Sequence, residues 1–419
     1  MFHFETLVGS SIRLAVIADD ITGAFDTGVQ FSKRGSRVSV ATGAQICEPI
    51  SGADVLVLDA QTRHLTPREA YVETRRIVAY TMRCQIPYLY IKTDSGLRGN
   101  IGPALKATLD ETGESFAAFS PAYPDTNRVT RGGKQWIDGQ PIQDSVFGRD
   151  LFEPVRASRV SDLLRPFGLD VCECHPPYQL PDRRPIVALF DVERNEDFRD
   201  VADLLKANGR LRITSGCAAF AAVLPAFLGL PDLPCVAPIV RAPLMIVCGS
   251  LNPITRRQFE YGERIGYKRI VLSQRQLLDE GYFDSEEGLV WLKEIGLQML
   301  RRGTLMFDTG LCPSPSLDYA DLCAARKRIA KQLGLLLVRL LAQEGAEAYT
   351  PMIIGGDTLA GFLDQLGTTE VSLGGEVSTG VVMFSVSVNG RRVSMLSKSG
   401  GFGNETLLGD VITQGMLAR

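Results

Sequence analysis

Four short apolar runs in the first half of the chain have the composition of β-strands, and each ends in polar or charged residues. The runs cover residues 13–18, 54–58, 88–91 and 116–119. Helix-forming segments separate them, and strands that alternate with helices predict a mostly parallel sheet. An open α/β sheet binds its ligands at the carboxyl ends of its strands. The pattern therefore predicts a polar binding site along that edge of the sheet.

The residues after these runs combine carboxylates with cations, which suits a small polyhydroxylated anion. The successive strand ends are Asp19-Asp20, Asp59-Ala60-Gln61-Thr62-Arg63, Lys92-Thr93-Asp94-Ser95 and Ser120-Pro121. Three helices are predicted between the strands, over 22–34, from a Thr66-Pro67-Arg68-Glu69 capping box onward, and over 100–109.

Length and composition limit the class of protein. The chain has 419 residues, which predicts two domains, and its net charge of -3 argues against a nucleic-acid partner. No apolar run is long enough for a membrane span, and the N-terminus lacks the basic flank of a signal peptide. The nine cysteines are then interpreted as reduced thiols of a cytoplasmic protein.

No metal site is predicted from the sequence. The chain has three histidines, and Cys172-Glu173-Cys174-His175 is the one tight cluster of metal-ligating residue types. Its spacing is not that of a zinc site, and no second cysteine pair follows nearby.

A proline-rich segment over 229–238 marks the predicted boundary between domains 1–235 and 240–419. Before it, strands are predicted over 186–190 and 213–216, and an apolar helix over 218–228. After it, strands are predicted over 244–248 and 352–354, and a long helix over 316–343. Asn389-Gly390 predicts a hairpin between strands 381–388 and 392–396.

Three glycine-containing segments in the second half each follow a predicted strand. They are Gly249-Ser250, Gly355-Gly356-Asp357-Thr358 and Ser399-Gly400-Gly401-Phe402-Gly403. Glycine lets backbone N–H groups approach a phosphate, and a helix N-terminus adds a favourable dipole. Each segment alone is typical of a plain turn, but all three together indicate a nucleotide site. The P-loop and dinucleotide fingerprints are both missing, which argues against those two classes.

The charged strand ends allow two interpretations each. One of Asp19 and Asp20 caps the following helix while the other contacts ligand, or both are structural. Asp94 either pairs with Arg98 or receives a proton from a substrate hydroxyl. Arg63 and Lys92 are either ligand contacts or solvated surface charges, and the strand-end positions favour ligand contacts. Arg128 is a weaker candidate for an anion contact.

Taken in order, these segments resemble the four-carbon acid sugar kinase family, long known as a domain of unknown function. The resemblance covers nearly the whole chain and is carried by these segments: Ala18-Asp19-Asp20-Ile21-Thr22-Gly23-Ala24, Thr62-Arg63, Lys92-Thr93-Asp94-Ser95-Gly96-Leu97-Arg98-Gly99-Asn100, Pro121-Ala122-Tyr123-Pro124, Gly249-Ser250, Gly355-Gly356-Asp357-Thr358 and Lys398-Ser399-Gly400-Gly401-Phe402-Gly403. It implies two α/β domains, each a mostly parallel sheet flanked by helices, with an active site in the cleft between them. The N-terminal domain would bind the acid sugar and the C-terminal domain ATP.

The resemblance also implies an activity and its cofactors. The family phosphorylates the terminal hydroxyl of D-threonate, D-erythronate or 3-oxo-tetronate, and the Asp59-Ala60-Gln61-Thr62-Arg63 segment looks more like the threonate and erythronate branch. ATP is expected with Mg²⁺, held mainly by phosphates, water and one or two carboxylates. The expected partners are the acid sugar and ATP, with a homodimer as a possibility and no membrane or nucleic acid.

Carried over by position, the resemblance implies two sets of site residues. Substrate contacts fall on Asp19, Asp20, Arg63, Lys92, Thr93, Asp94 and Ser95. ATP contacts fall on Ser250, Gly355, Gly356, Asp357, Thr358, Ser399, Gly400 and Gly401. Asp20 or Asp94 would be the catalytic carboxylate, with Asp20 preferred, and no residue is assigned to metal.

The chain departs from the family pattern at Gly96, where a serine or threonine is usual, and at Asp357 and Gly401. Gly96 removes a possible hydroxyl contact and leaves more of that role to Ser95.

Two rival functions remain at this stage. A non-catalytic sugar-acid sensor would need the charges of the first half but not three glycine loops in the second. An NAD-dependent oxidoreductase is disfavoured by the missing dinucleotide fingerprint.

Overall fold

The computed structural model describes residues 12–42, 52–150, 153–182, 186–310, 319–367 and 371–417. The chain divides into two units, Met1–Cys235 and Val236–Arg419. Each unit has its own set of neighbouring strands and its own hydrophobic core.

The first unit is built on a parallel sheet. Its strands are β1 Leu14–Ala18, β2 Val38–Thr42, β3 Val55–Asp59, β4 Tyr88–Lys92, β5 Phe116–Ser120, β6 Arg128–Arg131, β7 Lys134–Ile137, β8 Gln140–Pro141, β9 Val171–Cys174, β10 Ile186–Phe190 and β11 Ile213–Gly216. The main sheet runs β2-β3-β1-β4-β11-β5-β10-β9, with every neighbouring pair parallel. Strands β6, β7 and β8 form a small antiparallel sheet of their own.

Helices connect these strands. They are α1 Ile21–Ser32, α2 Pro67–Arg83, α3 Ile101–Thr112, α4 Val160–Leu164, α5 Asp197–Ala207, α6 Ala218–Ala221 and α7 Pro225–Leu228. The predicted capping box is confirmed, since Thr66 accepts from the Glu69 backbone N–H and the Glu69 carboxylate accepts from the Thr66 backbone N–H. The continuous helix predicted over 218–228 is wrong: it is split in two at Pro225, which has no backbone N–H to continue it.

The predicted strands are confirmed. Their continuous apolar runs are explained by the parallel sheet, in which strands are buried on both faces. All five residues of β1 and of β3 are buried. The order of the strands was not predicted: β3, β1 and β4 are direct neighbours, but β11 lies between β4 and β5.

The second unit has a mixed sheet. Its strands are β12 Leu244–Cys248, β13 Lys268–Val271, β14 Leu305–Asp308, β15 Thr350–Ile354, β16 Val371–Ser378, β17 Val381–Val388 and β18 Arg391–Lys398. Their order is β13-β14-β12-β15-β18-β17-β16; the first five are parallel and the last two join antiparallel. The hairpin prediction is confirmed, with Asn389 and Gly390 at φ 50° and 76°, as a tight turn between twisted strands requires.

The helices of this unit are α8 Pro253–Arg264, α9 Gln274–Leu278, α10 Glu286–Met299, α11 Tyr319–Leu341, α12 Gly356–Leu366 and α13 Leu407–Leu417. Helix α11 accounts for the long helix predicted over 316–343, of which residues 316–318 lie outside the described residues. Helices α11 and α12 meet backbone to backbone: a Cβ on Gly361 would lie 2.2 Å from the Ala330 carbonyl oxygen, and one on Gly334 would lie 2.3 Å from the Gly361 carbonyl oxygen.

The predicted α/β class with mostly parallel sheets is confirmed. Across the described part of the chain, no helix combines the length and the apolar character that crossing a membrane requires.

Candidate functional site

The carboxyl ends of β3, β1 and β4 bring three predicted segments to one edge of the first sheet. Ala18 is in register with Asp59 on one side and with Lys92 on the other. The residues that follow each strand therefore leave the sheet side by side. This places the segments after Ala18, Asp59 and Lys92 next to one another, as the strand-end argument requires.

Arg63 is the centre of a buried charge cluster at this edge. Its Nε and Nη2 donate to the two carboxylate oxygens of Asp19 at 2.8 and 2.9 Å, and its Nη1 donates to Asp20 Oδ2 at 2.5 Å. The three side chains are 10%, 12% and 19% exposed. Arg63 is therefore not a solvated surface charge, and its fork already holds a carboxylate of the protein.

Asp20 both caps a helix and belongs to this cluster. Its Oδ1 accepts from the Gly23 backbone N–H at 2.8 Å at the start of α1, and its Oδ2 accepts from Thr22 Oγ1 at 2.6 Å. Burial raises the pKa of Asp20, but Arg63, Lys92 and the Thr22 hydroxyl outweigh it, so the pKa lies below its usual value. Burial has the largest effect on the pKa of Asp19. Together with the negative charge of Asp20 it raises this pKa, although Arg63 acts to lower it. The capping role and a ligand role are thus compatible at Asp20.

Asp94 forms the local ion pair that was one of its two interpretations. Arg98 Nε donates to Asp94 Oδ2 at 2.7 Å, and Arg98 Nη1 reaches Asp150 Oδ2 at 3.2 Å. Burial alone would raise the pKa of Asp94, but Arg98, Arg63 and Lys92 together hold it well below its usual range. Asp94 is therefore an ionised carboxylate that can orient a hydroxyl group.

Lys92 is a buried cation with a single side-chain hydrogen bond. The residue is 5% exposed, and its Nζ donates to the Thr93 carbonyl at 2.8 Å. Among the described residues no carboxylate forms an ion pair with it, while the Thr93 hydroxyl is buried without a hydrogen-bond partner. Lys92 thus adds a positive charge that lowers the pKa of Asp20 and Asp94, and Thr93 offers a hydroxyl without a hydrogen-bond partner among the described residues.

Ser95 lies against a cationic wall built around Phe147. Arg128 Nη1 donates to Ser95 Oγ, and the guanidinium carbons of Arg98 and Arg128 lie 5.2 and 5.0 Å from the centre of the Phe147 ring. A Cβ on Gly96 would lie 2.4 Å from that ring. Glycine at position 96, where the family usually has serine or threonine, therefore leaves room for the Phe147 ring. Arg128, the weaker candidate for an anion contact, is hydrogen-bonded to Ser95.

Asp59 is a member of this edge that sequence reasoning missed. It was noted only as the residue at which a strand ends, but it lies within β3 and is fully buried. Its Oδ1 accepts from the Gln61 backbone N–H at 3.2 Å, and its Oδ2 has no hydrogen-bond partner in the described part of the chain. Burial and the negative charge of Asp20 raise the pKa of Asp59 to about 8.

Asp59 should make the stability of the protein depend on pH. Its pKa is raised from 3.8 to about 8, so between these values the folded protein holds a proton that the unfolded chain has lost. Stability therefore falls as the pH rises from about 4 to about 8. We expect Asp59→Asn to melt at a temperature that is less dependent on pH over this range, and to gain stability relative to the parent as pH rises.

Thermal melting between about pH 5 and about pH 8 measures this effect. Asp54→Asn is the matched control, because hydrogen bonds from Arg37 lower the pKa of Asp54 and its effect is confined to acid pH. Parallel pH profiles for Asp59→Asn and the parent would contradict the prediction.

The second unit assembles its three glycine segments in the same way. Strands β12, β15 and β18 are neighbours, with Cys248, Ile354 and Lys398 in register. The segments that follow come into contact: a Cβ on Gly400 would lie 2.2 Å from Ser250 Oγ, and one on Gly249 would lie 2.4 Å from Thr358 Oγ1. These glycines are thus needed for the backbones to approach each other.

Two of the segments lead directly into helix N-termini. Asn252, which sequence reasoning missed, caps α8 by accepting from the Ile254 backbone N–H at 3.0 Å. Helix α12 begins at Gly356, preceded by Gly355 at φ 112°, a conformation that favours glycine. Unpaired N–H groups and the helix dipole make such ends suitable for phosphate.

Asp357 places a carboxylate at the start of α12, where phosphate would bind. Arg326 neutralises it through Nε and Nη2, which donate to its two oxygens at 2.6 and 3.0 Å. The aspartate at position 357, where the chain departs from the family pattern, is therefore paired with a cation of the protein, Arg326.

A magnesium cage made of protein side chains is not present among the described residues. No three His, Cys, Asp or Glu side chains there are grouped to hold a metal ion. Within the Cys172–His175 cluster, Cys174 Sγ donates to the Cys172 carbonyl and His175 pairs with Asp191.

Two family profiles match the chain. One, described as "Sugar-binding N-terminal domain", matches residues 14–224, and the other, described as "Nucleotide-binding C-terminal domain", matches residues 245–408.

Curated relatives match over nearly the full length. The chain is 25% identical to a D-threonate kinase of Salmonella typhimurium over 96% of this chain and 98% of the relative. It is 26% identical to a D-threonate kinase of Bordetella bronchiseptica over 94% and 95%. A D-erythronate kinase of Heliobacterium modesticaldum is 35% identical, over 36% of this chain and 35% of the relative.

Two solved structures share the fold. A Salmonella typhimurium LT2 protein, provisionally described as a tRNA synthase, has a TM-score of 0.72 at 19% identity, covering 96% of this chain and 98% of its own. A Haemophilus influenzae protein of family DUF1537 has a TM-score of 0.67 at 18% identity, covering 96% and 99%. At these identities the likeness shows the fold alone.

Proposed function

The chain belongs to the four-carbon acid sugar kinase family, and on this premise we propose that it phosphorylates the terminal C4 hydroxyl of D-threonate or D-erythronate. It is an acid sugar kinase, in keeping with the names of its curated relatives, and we propose ATP as the phosphoryl donor. Relatives named 3-oxo-tetronate kinase are 24% identical over 94% to 95% of the chain, so that substrate is the alternative within the family.

We assign the acid sugar to residues 1–235 and ATP to residues 240–419. The buried Lys92 supports the first assignment most directly, since its ammonium forms no ion pair among the described residues and can donate to the substrate carboxylate. The three adjoining glycine segments of the second unit support the ATP assignment, because they expose backbone N–H groups at strand ends and helix N-termini.

In this mechanism Lys92 contacts the substrate carboxylate, and Arg63 contributes the N–H groups that Asp19 and Asp20 leave open. Thr93 and Ser95 bind hydroxyl groups. Asp20, or alternatively Asp94, orients the terminal hydroxyl and receives its proton as the phosphoryl group transfers. Asp20 remains the preferred base, as the sequence assigned it, with Arg63 holding its carboxylate as Arg98 holds that of Asp94.

Magnesium would enter with ATP and neutralise charge on its phosphate oxygens. We propose Ser250, Gly355, Gly356, Thr358, Ser399, Gly400 and Gly401 as contacts to ATP, and Asp357 as a residue of the same loop that Arg326 holds in place.

A coupled ADP-release assay tests the proposed function. D- and L-threonate, D- and L-erythronate and 3-oxo-tetronate would be compared with threitol, which lacks the carboxylate. We expect turnover with D-threonate or D-erythronate and none with threitol. Turnover confined to 3-oxo-tetronate would move the chain to the other branch of the family.

Arg63→Lys should affect the acid sugar far more than ATP. Lysine cannot reproduce the planar fork that holds Asp19 while also reaching Asp20. We expect KM for the acid sugar to rise about tenfold or more, since a hydrogen bond to a charged group is worth about 1.5–3 kcal/mol. Steady-state kinetics with each substrate varied in turn gives both KM values.

Arg37→Lys provides the control for this substitution. Arg37 forms a similar two-point ion pair with Asp54 but is exposed. It should leave both KM values near those of the parent. Equal changes in the two KM values of Arg63→Lys would show that Arg63 is not a dedicated contact to the acid.

A further inference from the structure

Lys398 is a buried cation beneath the last glycine segment of the second unit. It is the final residue of β18, and none of its surface is exposed. Its Nζ donates to the carbonyl oxygens of Ser399 and Gly400 at 3.1 and 3.2 Å. No carboxylate in the described part of the chain forms an ion pair with it. The protein therefore buries a positive charge without a negative charge of its own to offset it.

The surroundings of Lys398 are mostly apolar. Ile354 of β15 and Val381 of β17 are its neighbours in the sheet. Burial lowers the pKa of Lys398 to about 8, and among the described residues the titratable group that acts on it is the Cys248 thiol of β12. Asp308 and Arg269 also act on Cys248, and Arg269 is bonded to Asp308. An unpaired ammonium in such a place costs free energy, which an anion bound nearby would offset.

The two carbonyl contacts fix the direction of the neighbouring N–H groups. In a trans peptide the C=O of one residue and the N–H of the next point in opposite directions. Holding the Ser399 and Gly400 carbonyls toward Lys398 therefore turns the N–H groups of Gly400 and Gly401 away from it. Neither N–H has an acceptor among the described residues. Successive free N–H groups of this kind form an anion-binding concavity.

The Gly400 carbonyl also accepts from Thr255 Oγ1 of α8 at 2.7 Å. The Ser399 carbonyl accepts from the Phe402 backbone N–H at 3.2 Å. Each carbonyl thus keeps one hydrogen-bond donor if Lys398 is replaced. What the loop would lose is the positive charge of Lys398.

We propose that Lys398 is a positioning residue for ATP: its ammonium holds the Ser399 and Gly400 carbonyls inward, presents the N–H groups of Gly400 and Gly401 to a nucleotide phosphate, and has its charge compensated by that phosphate. This inference rests on the proposed assignment of ATP to the second unit. It adds a linkage between ATP binding and the protonation of one buried lysine.

Calorimetric titration of the full chain with ATP and Mg²⁺, without acid sugar, tests this linkage. Titrations in two buffers of different ionisation heat measure the protons bound with ATP. Without ATP, Lys398 is half charged near pH 8, and phosphate raises its pKa, so we expect proton uptake at about pH 8 to 8.5. Uptake should vanish near about pH 6.5, where Lys398 is already charged. A phosphate group titrates near about 6 and contributes little at the higher pH. Absence of uptake at the higher pH would overturn the proposal.

Lys398→Met separates positioning from a structural role. It should abolish the proton uptake and weaken ATP binding about tenfold or more, a change of about 1.4 kcal/mol. Its melting temperature without ATP should equal or exceed that of the parent, because an apolar side chain replaces an unpaired buried charge. A lower melting temperature with unchanged ATP affinity would show a structural role only and overturn the proposal.

Two further variants keep the test decisive if Lys398→Met does not fold. Lys398→Arg stays charged at all these pH values, so it should lose the proton uptake yet bind ATP better than the methionine variant. Thr255→Val removes the other donor to the Gly400 carbonyl but keeps the lysine, so uptake should persist. Uptake that persists in Lys398→Arg, or vanishes in Thr255→Val, would assign the proton to another group.

The failure of the proposed function gives a different result. If the parent does not bind ATP, the assignment of ATP to the second unit is wrong. If the parent binds ATP without proton uptake, only the inference about Lys398 fails.

Discussion

Asp20→Asn should lower kcat by roughly 10²–10⁴-fold, the usual loss on removing a general base. Asparagine caps helices about as well as aspartate, so the contact with the Gly23 N–H at the start of α1 can persist. The substitution removes the negative charge and the ability to accept a proton. The melting temperature of Asp20→Asn should therefore change little, apart from the effect of losing the ion pair with Arg63. Steady-state kinetics and thermal melting measure the two effects separately.

Asp94→Asn and Asp19→Asn serve as the comparison variants. Asp94→Asn leaves the half-buried Arg98 short of its main partner, so a loss of stability is expected alongside any loss of activity. Asp19→Asn disturbs the same guanidinium as Asp20→Asn without touching the helix cap, and should raise KM for the acid sugar more than it lowers kcat.

Each contrary outcome has a definite meaning. Normal turnover in both Asp20→Asn and Asp94→Asn would place the base elsewhere. A change in melting alone for Asp20→Asn would reduce that residue to a helix cap. A loss of kcat in Asp19→Asn as large as in Asp20→Asn would trace the effect to a displaced Arg63.

Gly400→Val should weaken ATP binding by about tenfold or more, or about 1.4 kcal/mol, without weakening acid sugar binding. A Cβ at this position would lie 2.2 Å from Ser250 Oγ and 3.1 Å from Ser250 Cβ. Ser250 Oγ accepts from the Asn252 backbone N–H at 3.3 Å, so it cannot turn aside without losing that contact. The loops that follow β12 and β18 would be pushed apart. Calorimetry with each ligand measures the two affinities.

Gly401→Ala is the comparison variant at the neighbouring glycine of the same loop. A Cβ at Gly401 would meet only the Asn252 side-chain amide nitrogen, at 3.4 Å. The two adjacent glycines are thus separable, and ATP affinity should fall much less in Gly401→Ala than in Gly400→Val. Unchanged ATP affinity in Gly400→Val would remove this loop from the nucleotide site.

The strands and the α/β class could be predicted because their signals are local. An apolar run bounded by polar residues needs no partner to be recognised, and β10, β11 and β12 begin and end where the sequence placed them. The position of β11 between β4 and β5 depends on pairing between distant segments, which leaves no mark in a short window. The small sheet of β6, β7 and β8 was not predicted either, although β6 and β7 form a local hairpin that turns at Gly132-Gly133.

The composition of the candidate site was more predictable than its geometry. The residues at the strand ends could be named from the sequence. The sequence did not show that the Arg63 guanidinium donates to Asp19, 44 residues away in the chain. Asp59 and Lys398 stand in the segments that were quoted from the sequence, but neither was given a role. Their importance comes from complete burial without an ion-pair partner, which only the packed structure reveals.

The contact between α11 and α12 determines how these two helices of the second unit open to solvent. Gly334 and Gly361 put backbone against backbone, so no side chain lies between them that could change rotamer and let one helix slide past the other. The two helices should therefore open to solvent together as one cooperative segment. Since α12 begins at Gly356, ATP bound at its first turn would slow amide hydrogen exchange in α11 as well as in α12.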